Sequence, residues 1–250
     1  MGSNVEPLTD PVAEGRRIAE AAAEREVTLR VLGGVAVAML CPSSRRPPLA
    51  REYADIDLAT TASAKDEVSG LLESLGYRGD KEFNTLHGHR RLYFWDEVAQ
   101  RQVDVFVDEA NLCHRIALRR RLESVPLTLS LADLTVLKLQ VVETNEKDFL
   151  DICALFADHD LTPNDSGVNS AYVADLTASD WGLWRTLSMV SERSEQFALE
   201  LPGFEAAELV AERLRLLRSE MEAAPKSRGW KLRARIGDRK RWYELPEEVR

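Results

Sequence analysis

The sequence predicts a protein of the α/β (α+β) class with a helical region in its C-terminal part. Three observations lead there. Segments that read as strands, at residues 27–32, around Asp55 to Leu58, at 91–95 and at 101–107, alternate with segments of helical period. The last two strands are joined by a short polar connection, which signals a hairpin. From Gly167 onward the chain shifts to helical patterning, with Pro163-Asn164-Asp165-Ser166-Gly167 as the linker candidate and Pro202-Gly203 as a second break. The expected division is a first domain over residues 1–160 and a helical domain over 168–250 ending in a basic tail.

In chain order, residues 12–26 read as an amphipathic helix with Val12, Ile18, Ala19, Ala22 and Ala23 near one side. Residues 27–32 form a strand that delivers the chain to Gly33-Gly34, and the apolar run 35–40 is a helix ended by Pro42. The stretch CPSSRRPPLARE is a proline- and arginine-rich loop, expected to be mobile until a ligand orders it. Residues 64–75 are helical, since Val68, Leu71, Leu72 and Leu75 recur at three- and four-residue spacing, and Gly76 is placed as a cap. Ser130 and Asp133 resemble a capping box opening a helix whose apolar stripe is Leu131, Leu134, Leu137 and Val141. Lys138, beside that stripe, is either snorkelling out of the core or reaching into a cleft. Asp148 and Asp151 are neighbours on the next helix, with Phe149, Ile152 and Phe156 turned inward. Trp181, Trp184, Leu187, Met189 and Val190 mark a further helix, and residues 208–221 another.

Composition bounds the function. The 250 residues, 44% apolar, suffice for one large domain or two modest ones. There is no apolar run long enough for a membrane span and no basic-then-apolar start, so a cytoplasmic protein without a membrane partner is expected. Cys41, Cys113 and Cys153 lack disulfide or zinc spacing and read as small hydrophobes, and His87 with His89 reads as a surface turn. A net charge of −9 disfavours indiscriminate nucleic-acid binding, yet cations cluster at Arg45, Arg46 and Arg51, at Arg115, Arg119, Arg120 and Arg121, and between Lys226 and Arg241. That last stretch interleaves Trp230, Trp242 and Tyr243 with arginines; it could hold RNA by phosphate contact and base stacking, or be a plain basic tail.

The chemistry concentrates between Gly33 and Asp57. On a strand, Asp55 and Asp57 share one face while Ile56 and Leu58 turn inward. Two such carboxylates suit Mg²⁺, a hard cation that takes oxygen ligands and offsets their repulsion. Gly33 and Gly34 lack Cβ atoms, which lets backbone approach a phosphate at the start of a helix. In VDVFVD, Val103, Val105 and Val107 share one face and Asp104 the other, so Asp104 becomes a third carboxylate if this strand lies beside the first. Two-metal phosphoryl transfer uses such a group to hold an ion and take a proton.

GG, then R-x-x-x-D-I-D, then VDVFVD, then LADLTVLKLQ followed by KDFLDI resembles the nucleotidyltransferases of the DNA polymerase β superfamily, and more narrowly the AbiEii/MenT nucleotidyltransferase toxins, over residues 29–156. The resemblance implies a nucleotidyltransferase fold, a small mixed sheet flanked by helices, and a Mg²⁺-dependent transfer of NMP from an NTP to a hydroxyl, the tRNA 3′ end in the toxins, with a cognate antitoxin as a possible partner. By the same resemblance Gly33 and Gly34 bind nucleotide, Asp55 and Asp57 hold metal, and Lys138 and Asp151 complete the catalytic site with Asp148 as a nucleotide-binding neighbour; Arg51, in the loop where a triphosphate would lie, is added to the nucleotide-binding residues, and Asp104, from the strand chemistry above, to the metal ligands of a two-metal site and to the catalytic residues. A small hydroxylated molecule such as an aminoglycoside or lincosamide is the alternative acceptor, one that a cationic compound would suit given the acidic chain. A non-catalytic nucleotide-binding module is the third reading, because Val35 and Tyr53 stand where the family carries hydroxyl residues.

Overall fold

A computed structural model describes residues 6–245. Packing divides them into two units that interleave along the chain. One comprises Glu52–Ala110, Ile116–Ser130 and the described residues of Met1–Leu40; the other comprises Cys41–Arg51, Asn111–Arg115 and the described residues of Leu131–Arg250.

The first unit is the mixed sheet flanked by helices. Helix α1 (Pro11–Glu24) is capped by Asp10, whose carboxylate accepts the N–H groups of Val12 and Ala13, with Pro11 in the first turn where its missing N–H costs nothing. Strand β1 (Leu29–Leu32) runs into α2 (Gly33–Leu40), followed by β2 (Asp55–Thr60), α3 (Lys65–Ser74), β3 (Arg78–Gly79), α4 (Lys81–His87), β4 (Arg91–Asp96) and β5 (Arg101–Val107). The expected stop of α3 is present: Gly76 has φ +96°, its N–H reaches Glu73 O, and the Tyr77 N–H reaches Leu72 O, which satisfies the last carbonyls of the helix. Helix α4, absent from the sequence reading, ends at His87, so the histidine pair does sit at a turn.

The sheet order is β1-β2-β5-β4-β3. Strands β2 and β5 are parallel, and the expected hairpin of β4 and β5 is antiparallel. One face is apolar throughout: Val31, Ile56, Leu58, Val103, Val105, Leu92 and Phe94 are all buried. Helix α1 closes on it so tightly that a Cβ at Gly15 would come within 2.7 Å of Val35 Cγ1 and 3.6 Å of Val31 Cγ1. Each such side chain contributes roughly 1.5–3 kcal/mol on burial, and a slip of one residue would turn the whole set outward. The apolar face therefore fixes which side chains of β2 and β5 face the other way.

Short strands β6 (Glu109–Asn111) and β7 (Arg115–Ala117) precede the helices of the second unit. These are α5 (Leu131–Leu139), α6 (Glu146–Asp158), α7 (Ser170–Ser179), α8 (Trp181–Glu200), α9 (Ala207–Ala223) and α10 (Arg228–Ile236). The expected apolar stripe of α5 is wider than the spacing implied: Asp133, Thr135 and Val136 are buried as fully as Leu134, as befits a helix surrounded by α6, α7 and α8. The linker candidate is ordered by β8 (Leu161–Thr162) and β9 (Val168–Asn169), a parallel pair. Within the proline- and arginine-rich loop, Pro42–Arg45 forms a 3-10 turn packed on α6, where the Ser43 N–H donates to Asp158 at 2.9 Å. All three cysteines are buried and free, as small hydrophobes.

The C-terminal segment, expected as a tail, is folded back within this unit. Trp242 packs edge-on against Trp181, with centroids 5.8 Å apart, and its indole N–H donates to Thr186 Oγ1 at 3.0 Å. The same hydroxyl lies 2.8 Å from His114 Nε2. Burial holds His114 below its ordinary pKa of 6.5, against the opposing pull of Asp180 and Glu244. The neutral imidazole thus contributes stability above the unfolded value that is lost as pH falls. Acidification from about pH 7 to pH 5 is expected to loosen the Trp242 segment, read as a change in tryptophan emission, and His114→Gln should remove that pH dependence.

Candidate active site

Pairing places the carboxylates of the first unit on one face. Asp57 lies opposite Asp104 in the parallel register of β2 and β5, and Asp55 opposite Gln102. Residues directly opposite in a ladder point the same way, with Cβ atoms about 4.5–5.5 Å apart. Asp55 is exposed, Asp57 partly so and Asp104 buried. The glycine turn borders the same spot because Leu32, the last residue of β1, pairs with Asp57, and Gly33 follows it. Gly33 has φ +68°, and a Cβ there would collide with the Asp57 carboxylate. Only glycine fits both the backbone and the space.

Replacing Gly33 with Ala should therefore cost about 1–2 kcal/mol from the left-handed conformation and also displace Asp57. Urea denaturation reads the first effect. A matching Gly70→Ala change, in open space on α3, should be neutral or stabilising.

Asp104 has partners the sequence reading missed. Arg91 Nε donates to its Oδ1 at 2.6 Å, and the Gln102 amide donates to its Oδ2. The Arg91 guanidinium also stands 5.3 Å from the Phe106 ring centroid. Both were recoverable in principle, since alternation along the hairpin puts Arg91, Tyr93, Gln102 and Asp104 on one face once the register is known.

The donor set fits a hard divalent cation, because Asp55, Asp57 and Asp104 offer only carboxylate oxygens. In the described arrangement Asp104 is turned to Arg91 and Gln102, and among the described residues no three His, Cys, Asp or Glu side chains close into a ligand set. A cation at this face would take the place of the Arg91 charge beside Asp104.

The second unit brings together Arg51, Lys138, Asp148 and Asp151. Arg51 grips Asp151 with two bonds, Nε to Oδ1 at 2.8 Å and Nη2 to Oδ2 at 2.7 Å. Lys138 Nζ lies 2.7 Å from Asp151 Oδ2 and 3.0 Å from Asp148 Oδ1. Asn145 and Asp148 close a capping box that fixes the start of α6, and with it Asp148. Burial alone would favour the uncharged forms, but the attraction prevails. It raises the Lys138 pKa and holds Asp151 below the usual carboxylate range through Lys138 and Arg51. The snorkelling alternative for Lys138 is thus excluded: its ammonium is kept inside by two carboxylates. Arg51 and Asp151 are 100 residues apart, so their pairing is a tertiary contact that no local pattern announces. Val35 is a core residue against Gly15, which accounts for an apolar side chain at that position. Among the described residues no helix is long and apolar enough to cross a membrane.

No family model and no curated protein matches the chain. Among solved structures it is similar to ANT(2″)-Ia in complex with adenylyl-2″-tobramycin, at 16% identity over 85% of this chain and 97% of that one, with a TM-score of 0.36. It is also similar to an antigenic nucleotidyltransferase-like protein from Paracoccidioides brasiliensis, at 14% identity over 90% and 97% with a TM-score of 0.42. A third is JHP933 from Helicobacter pylori, at 10% identity over 89% and 97% with a TM-score of 0.38.

Proposed function

We propose that the protein is a Mg²⁺-dependent nucleotidyltransferase that moves NMP from an NTP to a hydroxyl acceptor. One observation carries this reading: Asp57 faces Asp104 across parallel strands, with Asp55 two residues earlier and the bare backbone of Gly33 against Asp57. In the transfer, the acceptor oxygen bonds to the α-phosphorus, the bond to the β-phosphate oxygen breaks, and pyrophosphate leaves. Asp55, Asp57 and Asp104 would hold the metal, which when bound offsets the charge of the triphosphate and lowers the pKa of the attacking hydroxyl. Asp104 takes the hydroxyl proton on a carboxylate oxygen. Gly33 and Gly34 cradle the triphosphate at the start of α2, since the first N–H groups of a helix have no intrahelical partner. Lys138, by the family resemblance, and Arg51 are the nucleotide-binding cations, with Asp148 and Asp151 as the carboxylates that position them.

For the acceptor, the resemblance to the AbiEii/MenT toxins favours the tRNA 3′ end, with a cognate antitoxin as partner. The net charge of −9 favours a second acceptor, a small cationic hydroxylated molecule such as an aminoglycoside. The pure protein incubated with each α-labelled NTP, Mg²⁺, and either total tRNA or a panel of hydroxylated small molecules separates them by which one takes label. Absence of both transfer and Mg²⁺-dependent NTP binding would reject the enzyme altogether.

A further inference from the structure

Helix α10 is anchored by one face and bare on the other. Trp230 packs edge-on against Trp184, with centroids 5.2 Å apart, and the Arg233 guanidinium stands 4.3 Å from the Trp181 ring centroid. The opposite face carries Arg228, Lys231 and Arg235 at i, i+3 and i+7, all exposed, and Arg239 and Lys240 follow just past its end. None of these five cations has an ion-pair partner among the described residues. Between Lys226 and Arg241 eight Lys and Arg stand against Asp238 alone, a charge of +7, so the rest of the chain carries −16 of the total of −9.

We propose that this face of α10 and the turn after it bind the phosphate backbone of an RNA strand. The first three cations span about 10 Å at 1.5 Å per residue, which suits a run of phosphates rather than a single one. The acidic remainder of the chain repels a polyanion and directs it to this face. Leu232 and Ile236 are exposed there as well, but two apolar side chains on a nine-residue helix bury too little to hold a membrane interface. The aromatic rings expected from sequence to stack bases are occupied otherwise: Trp230 by Trp184, Trp242 by Trp181, and Tyr243 by Trp242 and Arg241. Recognition is therefore by charge, independent of sequence and steep in salt. This inference rests on the proposed transferase only in taking tRNA as the strand to be held; binding itself needs neither NTP nor Mg²⁺.

The test is fluorescence anisotropy of labelled tRNA titrated with the full chain, without NTP or Mg²⁺, across a salt series. Wild type should bind with a steep salt slope. Arg228→Glu/Lys231→Glu/Arg235→Glu should weaken binding by on the order of thirtyfold at low salt and reduce the slope by about two to three. Arg228→Lys/Arg235→Lys, which keeps the charge, should bind as wild type does. Far-ultraviolet ellipticity confirms that each variant is folded. Equal binding by the triple-Glu variant, or capture of the wild type by phosphatidylserine vesicles but not by tRNA, would overturn the proposal. Label transfer to tRNA with unaltered triple-variant binding would remove this inference and leave the transferase; salt-steep binding lost in the triple variant, without any transfer, would do the reverse.

Discussion

An Asp57→Asn variant is expected to lose Mg²⁺-dependent nucleotidyl transfer by at least about a thousandfold, or roughly 4 kcal/mol of transition-state stabilisation, while keeping its fold. Asn matches Asp in size, so neither the apolar face behind β2 nor the Gly33 contact is disturbed. What changes is the charge. Asp57 faces Asp104 across the parallel register and follows Asp55 by two residues, so loss of its negative charge removes a ligand from the middle of the proposed site. NTP affinity should fall in Mg²⁺ and stay as it was without it. Asp66→Asn, at a side chain 94% exposed on α3, serves as the control and should retain full activity. Turnover within tenfold of wild type in the Asp57 variant would remove this residue from the chemistry.

The largest stability effect is expected at Asp151. It is buried, receives two hydrogen bonds from Arg51 and lies against Lys138, so Asp151→Ala removes the carboxylate that these two cations share. Breaking a buried pair in this way costs about 3–5 kcal/mol, a large share of a typical domain's stability. The pH dependence has a definite sign. Burial would raise the Asp151 pKa, but Lys138 and Arg51 outweigh it and hold the carboxyl below its ordinary 3.8. Its contribution is therefore complete above the unfolded value and lost as pH falls through the folded one. Chemical denaturation as a function of pH should show a flatter acid limb in Asp151→Asn than in the wild type. A loss below 1 kcal/mol in Asp151→Ala would mean that the cluster is solvated rather than closed.

Local patterns carried much of the architecture. Alternation located β4 and β5, three- and four-residue spacing located α1, α3, α8 and α9, and Gly76 marked the end of α3. Non-local partners were not legible. Nothing in the alternation of VDVFVD says that Arg91 and Gln102 hold Asp104, because that requires the pairing register. Arg51, read as one of three loop cations, is committed to Asp151 on a helix 100 residues later. The composition of α10 is that of a solvated basic segment and does not show a helix; tertiary contacts of Trp230 and Arg233 with α8 hold it in place. Helix α5 hid its buried polar positions, since Asp133 and Thr135 look like solvent-facing residues in an amphipathic pattern.

The most direct measurement compares NTP labelled at the α-phosphorus with the same NTP labelled at the γ-phosphorus, each incubated with wild-type protein and acceptor, with Mg²⁺ or with chelator. A nucleotidyltransferase using the β2 and β5 carboxylates puts α-label, and no γ-label, onto the acceptor, releases pyrophosphate in equal amount, and does neither under chelation or in Asp57→Asn. Transfer of γ-label, or α-label transfer that persists with chelator, would contradict it.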